Sequence, residues 1–261
     1  MIGRKFTPGP QPHDPPMPTC TRLILIAAAT ALLTGCHTTP TPTSLGPPYE
    51  PARAARAAEL LPLQAMAKRR AGRVRVTDQQ GVGHEVTSST QRMSPRARRG
   101  NRPGAEGWRL SEAGFWTVDV VRETSGDVSI LREVEQLESR RVEYDPPLPL
   151  LPAELQMDQP IQRVSRVRVY DQANGVLQSA GECTAVYRLL GSKKIVLPGQ
   201  TVRASIVRTD RRFDLRWVKV DMRILTAYVP GQGAVAWRAR RDIRLLGVLP
   251  VTREESVVRV K

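Results

Sequence analysis

The sequence predicts an all-β protein, a strongly curved antiparallel sheet or partial barrel, preceded by a disordered N-terminal region. Three observations carry that expectation. From Trp108 onward apolar and polar residues alternate over short runs, which is the period-two pattern of half-buried strands. Turn sequences such as Asn174-Gly175 and Pro230-Gly231-Gln232-Gly233 separate the runs at hairpin spacing. No stretch keeps a helical period for long. With only 5% aromatic residues, the core must come from Val, Leu and Ile, and the many valines favour sheet.

Taken in order, the first pieces are short. Residues 52–71, ARAARAAELLPLQAMAKRRA, have the alanine and arginine content of a helix. Pro62 cuts them into lengths that cannot stand alone, so at most a frayed helix is expected. Val74 and Val76 alternate with Arg73, Arg75 and Thr77, and His84-Glu85-Val86-Thr87 follows a Gly-containing turn, which predicts a short hairpin. Residues 94–107, SPRARRGNRPGAEG, form a basic Pro/Gly loop. It reads as a linker in preference to a headgroup contact, because it has no aromatic residue to hold a specific partner.

From Trp108 the strands run almost continuously. Residues 115–121 and 128–134 flank Ser125-Gly126-Asp127, a hairpin signature, and residues 139–144 add another extended piece. Residues 145–160, DPPLPLLPAELQMDQP, carry five prolines among leucines. They are expected to form an apolar loop packed over a hydrophobic surface, since proline cannot serve a central strand. Strands follow on each side of Asn174-Gly175, and Leu197-Pro198-Gly199-Gln200 breaks the chain before the next one. Phe213, Leu215 and Trp217 then alternate on odd positions, whereas Val218, Val220, Met222 and Ile224 alternate on even ones. The flip at Trp217-Val218 predicts a β-bulge within one long strand. Val235, Trp237, Ala239, Ile243 and Leu245 return the apolar side, and residues 251–260 close the chain. Nine or ten strands are expected in all. Their greasy face must be covered, either by the Pro/Leu segment or by a ligand, and Trp217, Met222, Trp237 and Ile243 are the candidate apolar ligand face.

The N-terminal stretch sets the compartment. Residues 17–36 read MPTCTRLILIAAATALLTGC, with Arg22 before an apolar run that ends at Leu33. The run suits a signal peptide and falls well short of the ~20 residues that span a bilayer. Leu33-Thr34-Gly35-Cys36 resembles the lipobox of bacterial lipoproteins. That resemblance implies cleavage by signal peptidase II before Cys36, a diacylglyceryl group on its sulfur, and a mature chain that starts there. Each buried methylene of such an anchor contributes about 0.8 kcal/mol, and two or more chains hold stably. The proline-rich residues 1–16 are expected to lie ahead of the true start at Met17. His37 follows the cysteine where an aspartate would resemble an inner-membrane retention signal. The expected place is therefore the cell envelope, in the outer membrane and facing the periplasm. Residues 37–51 read as an extended Thr/Pro tether. The organisation expected is a signal peptide at 17–35, a tether region at 36–107 and a β domain at 108–261.

A second resemblance rests on three landmarks: Tyr144-Asp-Pro-Pro-Leu-Pro-Leu-Leu-Pro, Leu197-Pro-Gly-Gln-Thr-Val-Arg-Ala and Tyr228-Val-Pro-Gly-Gln-Gly-Ala-Val. Over residues 111–261 these resemble the TapB-like domain of bacterial secreted proteins and lipoproteins. The family's usual Ala-Gly-Thr order is missing at the second landmark, and Ala227 replaces a tryptophan at the third. The resemblance implies a half-barrel similar to that of lipoprotein-carrier proteins, and it brings no catalytic residue.

Composition narrows the chemistry. The chain carries 40 Lys and Arg against 25 Asp and Glu, a net +15. Such a charge suits anionic lipid, acidic polymer or nucleic acid. Export excludes nucleic acid, and the even spread of arginine is equally consistent with a plain solvated surface. With Cys20 in the leader and Cys36 acylated, Cys183 has no partner for an internal disulfide, and it is expected to be a small core residue. In the expected mature chain His84 is the one histidine away from the anchor, and it is expected to lie outside the folded region, so no triad is expected. No His/Cys spacing fits a metal. Glu143 with Asp145, and Glu254 with Glu255, are read as solvated charges and not as catalytic pairs. No cofactor, metal or enzymatic activity is expected. What remains is a lipid-anchored module that binds an apolar ligand or lipid, or else a structural or assembly factor contacting an anionic polymer or a partner protein. The oligomeric state is left open.

Overall fold

The computed structural model describes residues 45–52, 54–69, 71–77, 82–93, 106–197, 199–245 and 249–259. The chain divides into two units, Met1–Pro40 and Thr41–Lys261. The fold and site described below belong to the second. The 1–16 extension, the signal residues Leu33, Thr34, Gly35 and Cys36, the tether through 44, and residues 94–105 of the basic loop lie outside the described residues.

The second unit begins with β1 (Ala55–Arg56), α1 (Ala57–Leu60) and α2 (Leu63–Lys68). Next come β2 (Gly72–Thr77), β3 (Gly83–Arg92), β4 (Glu106–Glu112), β5 (Trp116–Arg122), β6 (Val128–Glu135) and β7 (Arg140–Leu151). The short β8 (Glu154–Leu155) precedes β9 (Ile161–Asp171), β10 (Leu177–Leu197), β11 (Gln200–Leu215), β12 (Val218–Val229), β13 (Gly233–Leu245) and β14 (Leu249–Arg259). The architecture is all-β, as expected. Twelve strands form one antiparallel sheet in up-and-down order, with β9 beside β7 and β14 beside β2, so that the ring closes. An even count lets such a ring close with antiparallel neighbours throughout, and closure leaves no sheet edge to be guarded. β1 and β8 pair separately.

Four expectations change. The boundary at 107/108 moves, because β2 and β3 are members of the ring: Val76 pairs with Val257, and Ser88 with Glu112. His84 accordingly lies on β3, with its ring 5.9 Å from that of Phe115. Local patterning missed this because the partner that orders β2 is the last strand of the chain. The Pro/Leu segment is largely strand, not loop. β7 leaves β9 after the pair Asp145–Arg166, so the missing N–H groups of Pro146 and Pro147 disturb no ladder there. Hydroxyls bond carbonyls of this stretch, since Ser165 Oγ donates to Pro146 O at 2.6 Å and Tyr187 OH donates to Pro149 O. The phase flip at Trp217-Val218 marks a hairpin instead of a bulge. Phe213 on β11 faces Val220 on β12, with Arg216 and Trp217 as the turn. Finally, the count of staves is twelve, not nine or ten.

The meander places the C-terminal ends of β2, β4, β6, β9, β11 and β13 at one end of the barrel, and those of β5, β10 and β12 at the other. This second end is closed by the chain itself. Ala57, Leu60, Leu61 and Leu63 are at most 2% exposed and pack in one cluster with Val120, Ile130, Leu148, Leu151 and Tyr187. Backbone contacts seat the segment: Ala57 N donates to Ala153 O and Gly231 N to Glu59 O, both at 2.9 Å. Arg122 Nη2 also donates to Leu61 O at 3.3 Å. Pro62 divides the segment into two helical turns, as the sequence predicted. Residues read as tether therefore cover the apolar inner face at this end.

Candidate functional site at the open mouth of the barrel

At the other end no such cover is present among the described residues, and burial falls off along several strands. On β5 the inward series runs from fully buried Val120 through Val118 to half-buried Trp116. On β10 it runs from Tyr187 and Cys183, both 0% exposed, to half-exposed Gly181 and Ser179. Val142, Leu215, Val220 and Met222 are likewise half-buried against the core. An inward-facing apolar side chain that keeps contact with water marks an open cup.

Below this rim lies a charged floor. Arg211 is 5% exposed, and its Nη1 donates to Glu133 Oε1 at 2.8 Å. Tyr144 OH donates to the other oxygen of Glu133 at 2.9 Å. Burial opposes the charge on Arg211, yet the Glu133 carboxylate more than offsets it, so the guanidinium pKa is raised and the group stays ionised. Burial, reinforced by Glu133, pushes the Tyr144 hydroxyl up in turn. Arg241 and Glu135 form a second pair at 2.5 Å nearer the rim. The floor is thus a set of matched charges in a low-dielectric setting, worth little net stability while intact and costly to split.

Glu112, at the mouth end of β4, is 8% exposed. Burial pushes its carboxyl up to about 7, and the indoles of Trp116 and Trp237 offset only part of that. A carboxyl whose folded pKa exceeds its unfolded value of 4.5 costs stability as it ionises in the unfolded chain alone. Stability should therefore be greatest below the unfolded pKa, fall as pH rises between the two values, and level off above about 7. Glu112→Gln should flatten that slope, as urea midpoints measured across the same window would show.

Three of the four residues predicted for an apolar ligand face share the inner side of β12 and β13. Val220, in line with Met222, pairs with Ile243, and Trp237 packs on Val74, Val76 and Phe115. Trp217 does not join them. It stands 56% exposed in the β11–β12 turn, at the same end of the barrel, beneath the Arg216 guanidinium. The charged floor was missed by sequence reasoning. Its one legible signal is that Arg211 falls in phase with inward Val207, Thr209 and Phe213. Cys183 is buried as expected, with its thiol pushed up to about 12 by burial.

The outer face of β10–β13 holds a hollow of about 850 Å³, but its arginines are matched by carboxylates. Arg188, Arg208 and Arg223 all reach Asp210, at 2.7, 2.8 and 3.2 Å. On β4–β6, Asp119 is clamped between Arg109 and Arg132; burial works against its charge, but the two guanidiniums hold its carboxyl below the usual range. These ion pairs bridge neighbouring strands. Among the described residues, no group of three or more His, Cys, Asp or Glu could hold a metal ion.

No family model matches the chain, so the TapB-like resemblance stands on its three landmarks alone. No curated protein matches it either. Among solved structures the chain is similar to the lipoprotein YmcC of Escherichia coli K12, described as hypothetical, at 11% identity and a TM-score of 0.38, over 77% of this chain and 89% of that one. It is also similar to a Parabacteroides distasonis protein described as a lipoprotein, at 10% identity and a TM-score of 0.33, over 72% of this chain and 92% of that one.

Proposed function

We propose that the protein is a lipoprotein of the cell envelope, anchored through acylated Cys36 in the outer membrane and facing the periplasm, whose barrel mouth takes up the apolar part of an amphiphile. The observation that carries the binding reading is the contrast between the two ends. Inward side chains at the plugged end are sealed by the chain itself, whereas Trp116, Val142, Val220, Met222 and Ile243 at the mouth keep apolar surface in water. Shape and lining of this kind suit a ligand that is largely hydrocarbon, with the Arg241–Glu135 pair near the rim to meet its polar end. The reading is a binding one, and no residue is assigned a catalytic role. The alternative of an assembly factor for an anionic polymer draws less support, because the hollow on the outer face is lined by as many carboxylates as arginines.

Native mass spectrometry of the protein released from its host envelope tests the reading. Wild type should carry an extra mass that organic extraction identifies as an amphiphile, and Met222→Arg or Ile243→Arg should lose it with the β-sheet circular dichroism unchanged. Wild type that is consistently ligand-free, or adduct retained in both variants, sinks the proposal. The anchor is checked separately: Cys36→Ala should abolish metabolic palmitate labelling and move the protein out of the membrane fraction.

A further inference from the structure

Apolar side chains ring the mouth, and no described part of the chain covers them. Leu137, in the turn between β6 and β7, is 73% exposed, while Val176 and Leu177 at the β9–β10 turn and Trp217 at the β11–β12 turn are each more than half exposed. Val82, just ahead of β3, and Leu245, at the end of β13, continue the ring. Elsewhere among the described residues the exposed large apolar side chains are Val164, Val196 and Val251, one to a strand. Such single exposures are ordinary on a protein surface, whereas their concentration on the turns of one end is not.

These turns satisfy much of their own polar demand. Asp171 Oδ1 accepts from Ala173 N at 2.8 Å and from Asn174 N at 3.1 Å, Asn174 Oδ1 accepts from Val176 N at 2.9 Å, and Gly175 N donates to Asp171 O at 2.9 Å. Neighbouring turns are joined as well, since Gln136 N donates to Phe115 O at 2.8 Å and Gln172 N to Ser139 O at 2.7 Å. Charges nearby are matched: Glu138 with Arg140 at 2.8 Å, Asp214 with Lys219 at 3.6 Å, and Asp221 with Arg244 at 3.8 Å. The Arg216 guanidinium lies over the Trp217 ring, 4.9 Å from its centroid. An unpaired backbone group is costly where the surroundings offer no hydrogen bond, so turns that pair their own can leave water with little penalty.

From this arrangement we propose that the mouth docks on the surface of a phospholipid bilayer, with Leu137, Val176, Leu177 and Trp217 entering the boundary between headgroups and acyl chains. Two features single out lipid as the occupant. The apolar side chains stand on separate turns and not in one contiguous patch, which suits a fluid surface that needs no matching shape, and the self-paired turns ask for no hydrogen-bonding partner. An indole with a guanidinium over it also belongs at that boundary, because the ring is apolar while the cation reaches the headgroup phosphates. The rim is continuous with the apolar wall inside: Leu215 precedes Trp217 on the same turn, and Ile243, two positions before Leu245, pairs with Val220. The inference rests on the amphiphile reading above and adds the source of the ligand, whose hydrocarbon passes from bilayer to lumen without crossing water.

The test uses the acylated full-length protein in phosphatidylcholine vesicles, with an environment-sensitive dye on Ala173→Cys at the rim or on Val196→Cys at the plugged end. Buried Cys183 stays unlabelled. Doxyl lipids should quench the dye at 173 several-fold more than at 196, and Leu137→Ser combined with Leu177→Ser should erase most of that difference. Because the rim charges are matched, the difference should persist at high salt and without anionic lipid. Equal quenching at the two sites, stronger quenching at 196, or a difference that appears only when phosphatidylglycerol is added overturns the docking. So does a dye at 173 that is shielded without responding to doxyl lipid, as a protein partner would shield it, or a double variant that quenches like wild type. Native mass spectrometry reads the amphiphile separately: the quenching difference without an adduct sinks the ligand reading alone, and an adduct without the quenching difference sinks the docking alone.

Discussion

Leu63→Ala should destabilise the protein by about 3 kcal/mol, as much as a substitution in the barrel wall such as Ile130→Ala. Both side chains are fully buried in the same cluster, and each leaves a cavity that a ring of hydrogen-bonded strands cannot close over. The comparison is pointed because Leu63 lies in a stretch whose alanine, arginine and proline content reads as a tether. Denaturant unfolding of the full-length protein in micelles, followed by tryptophan fluorescence, gives both values. A loss below about 1 kcal/mol at Leu63, with the larger loss kept at Ile130, would mean that the segment does not plug the barrel. Leu60→Ala combined with Leu63→Ala should cost less than the sum of the single losses, because neighbouring cavities share their collapse.

Arg211→Met should be at least as damaging, at about 3 to 5 kcal/mol, because it strands the Glu133 carboxylate among buried groups with only the Tyr144 hydroxyl left to it. The informative companion is the double variant Arg211→Met with Glu133→Leu, which should recover most of that loss. Removing both charges abolishes the desolvation cost that the pair only offsets, so an apolar floor of similar volume is no worse than an ionic one. Urea midpoints of the four proteins form the thermodynamic cycle. Should the double variant remain as unstable as the single one, Arg211 would be serving the packing of the barrel through its alkyl stem and not through its charge.

Much of the architecture was legible along the chain. Alternation from Trp108 onward and the turns at Ser125-Gly126-Asp127, Asn174-Gly175 and Pro230–Gly233 placed real hairpins, because each is a contact between neighbours in sequence. Errors arose where one local signal had two physical causes. A phase flip is produced equally by a bulge and by a two-residue turn, and at Trp217-Val218 only the pair Phe213–Val220 distinguishes them. Prolines forbid a ladder on the side they face, not strand geometry itself, so β7 could run through Pro146, Pro147 and Pro149 once β9 had moved away. Of the candidate ligand face, Met222, Trp237 and Ile243 were gathered by strand register, whereas Trp217 belongs to the rim.

Period-two alternation, glycine-centred turns and the short apolar run ending at Cys36 were enough to determine that this is a β-sheet protein and to motivate its reading as an exported lipoprotein. These are properties of neighbouring residues, and a chain carries them wherever it folds. Tertiary structure alone decided that the sheet closes, that residues 55–63 fill one end of it, and that Arg211 and Glu133 meet inside. Each of those outcomes joins residues dozens to hundreds of positions apart, and such contacts are chosen by which surfaces remain unburied once the local elements exist.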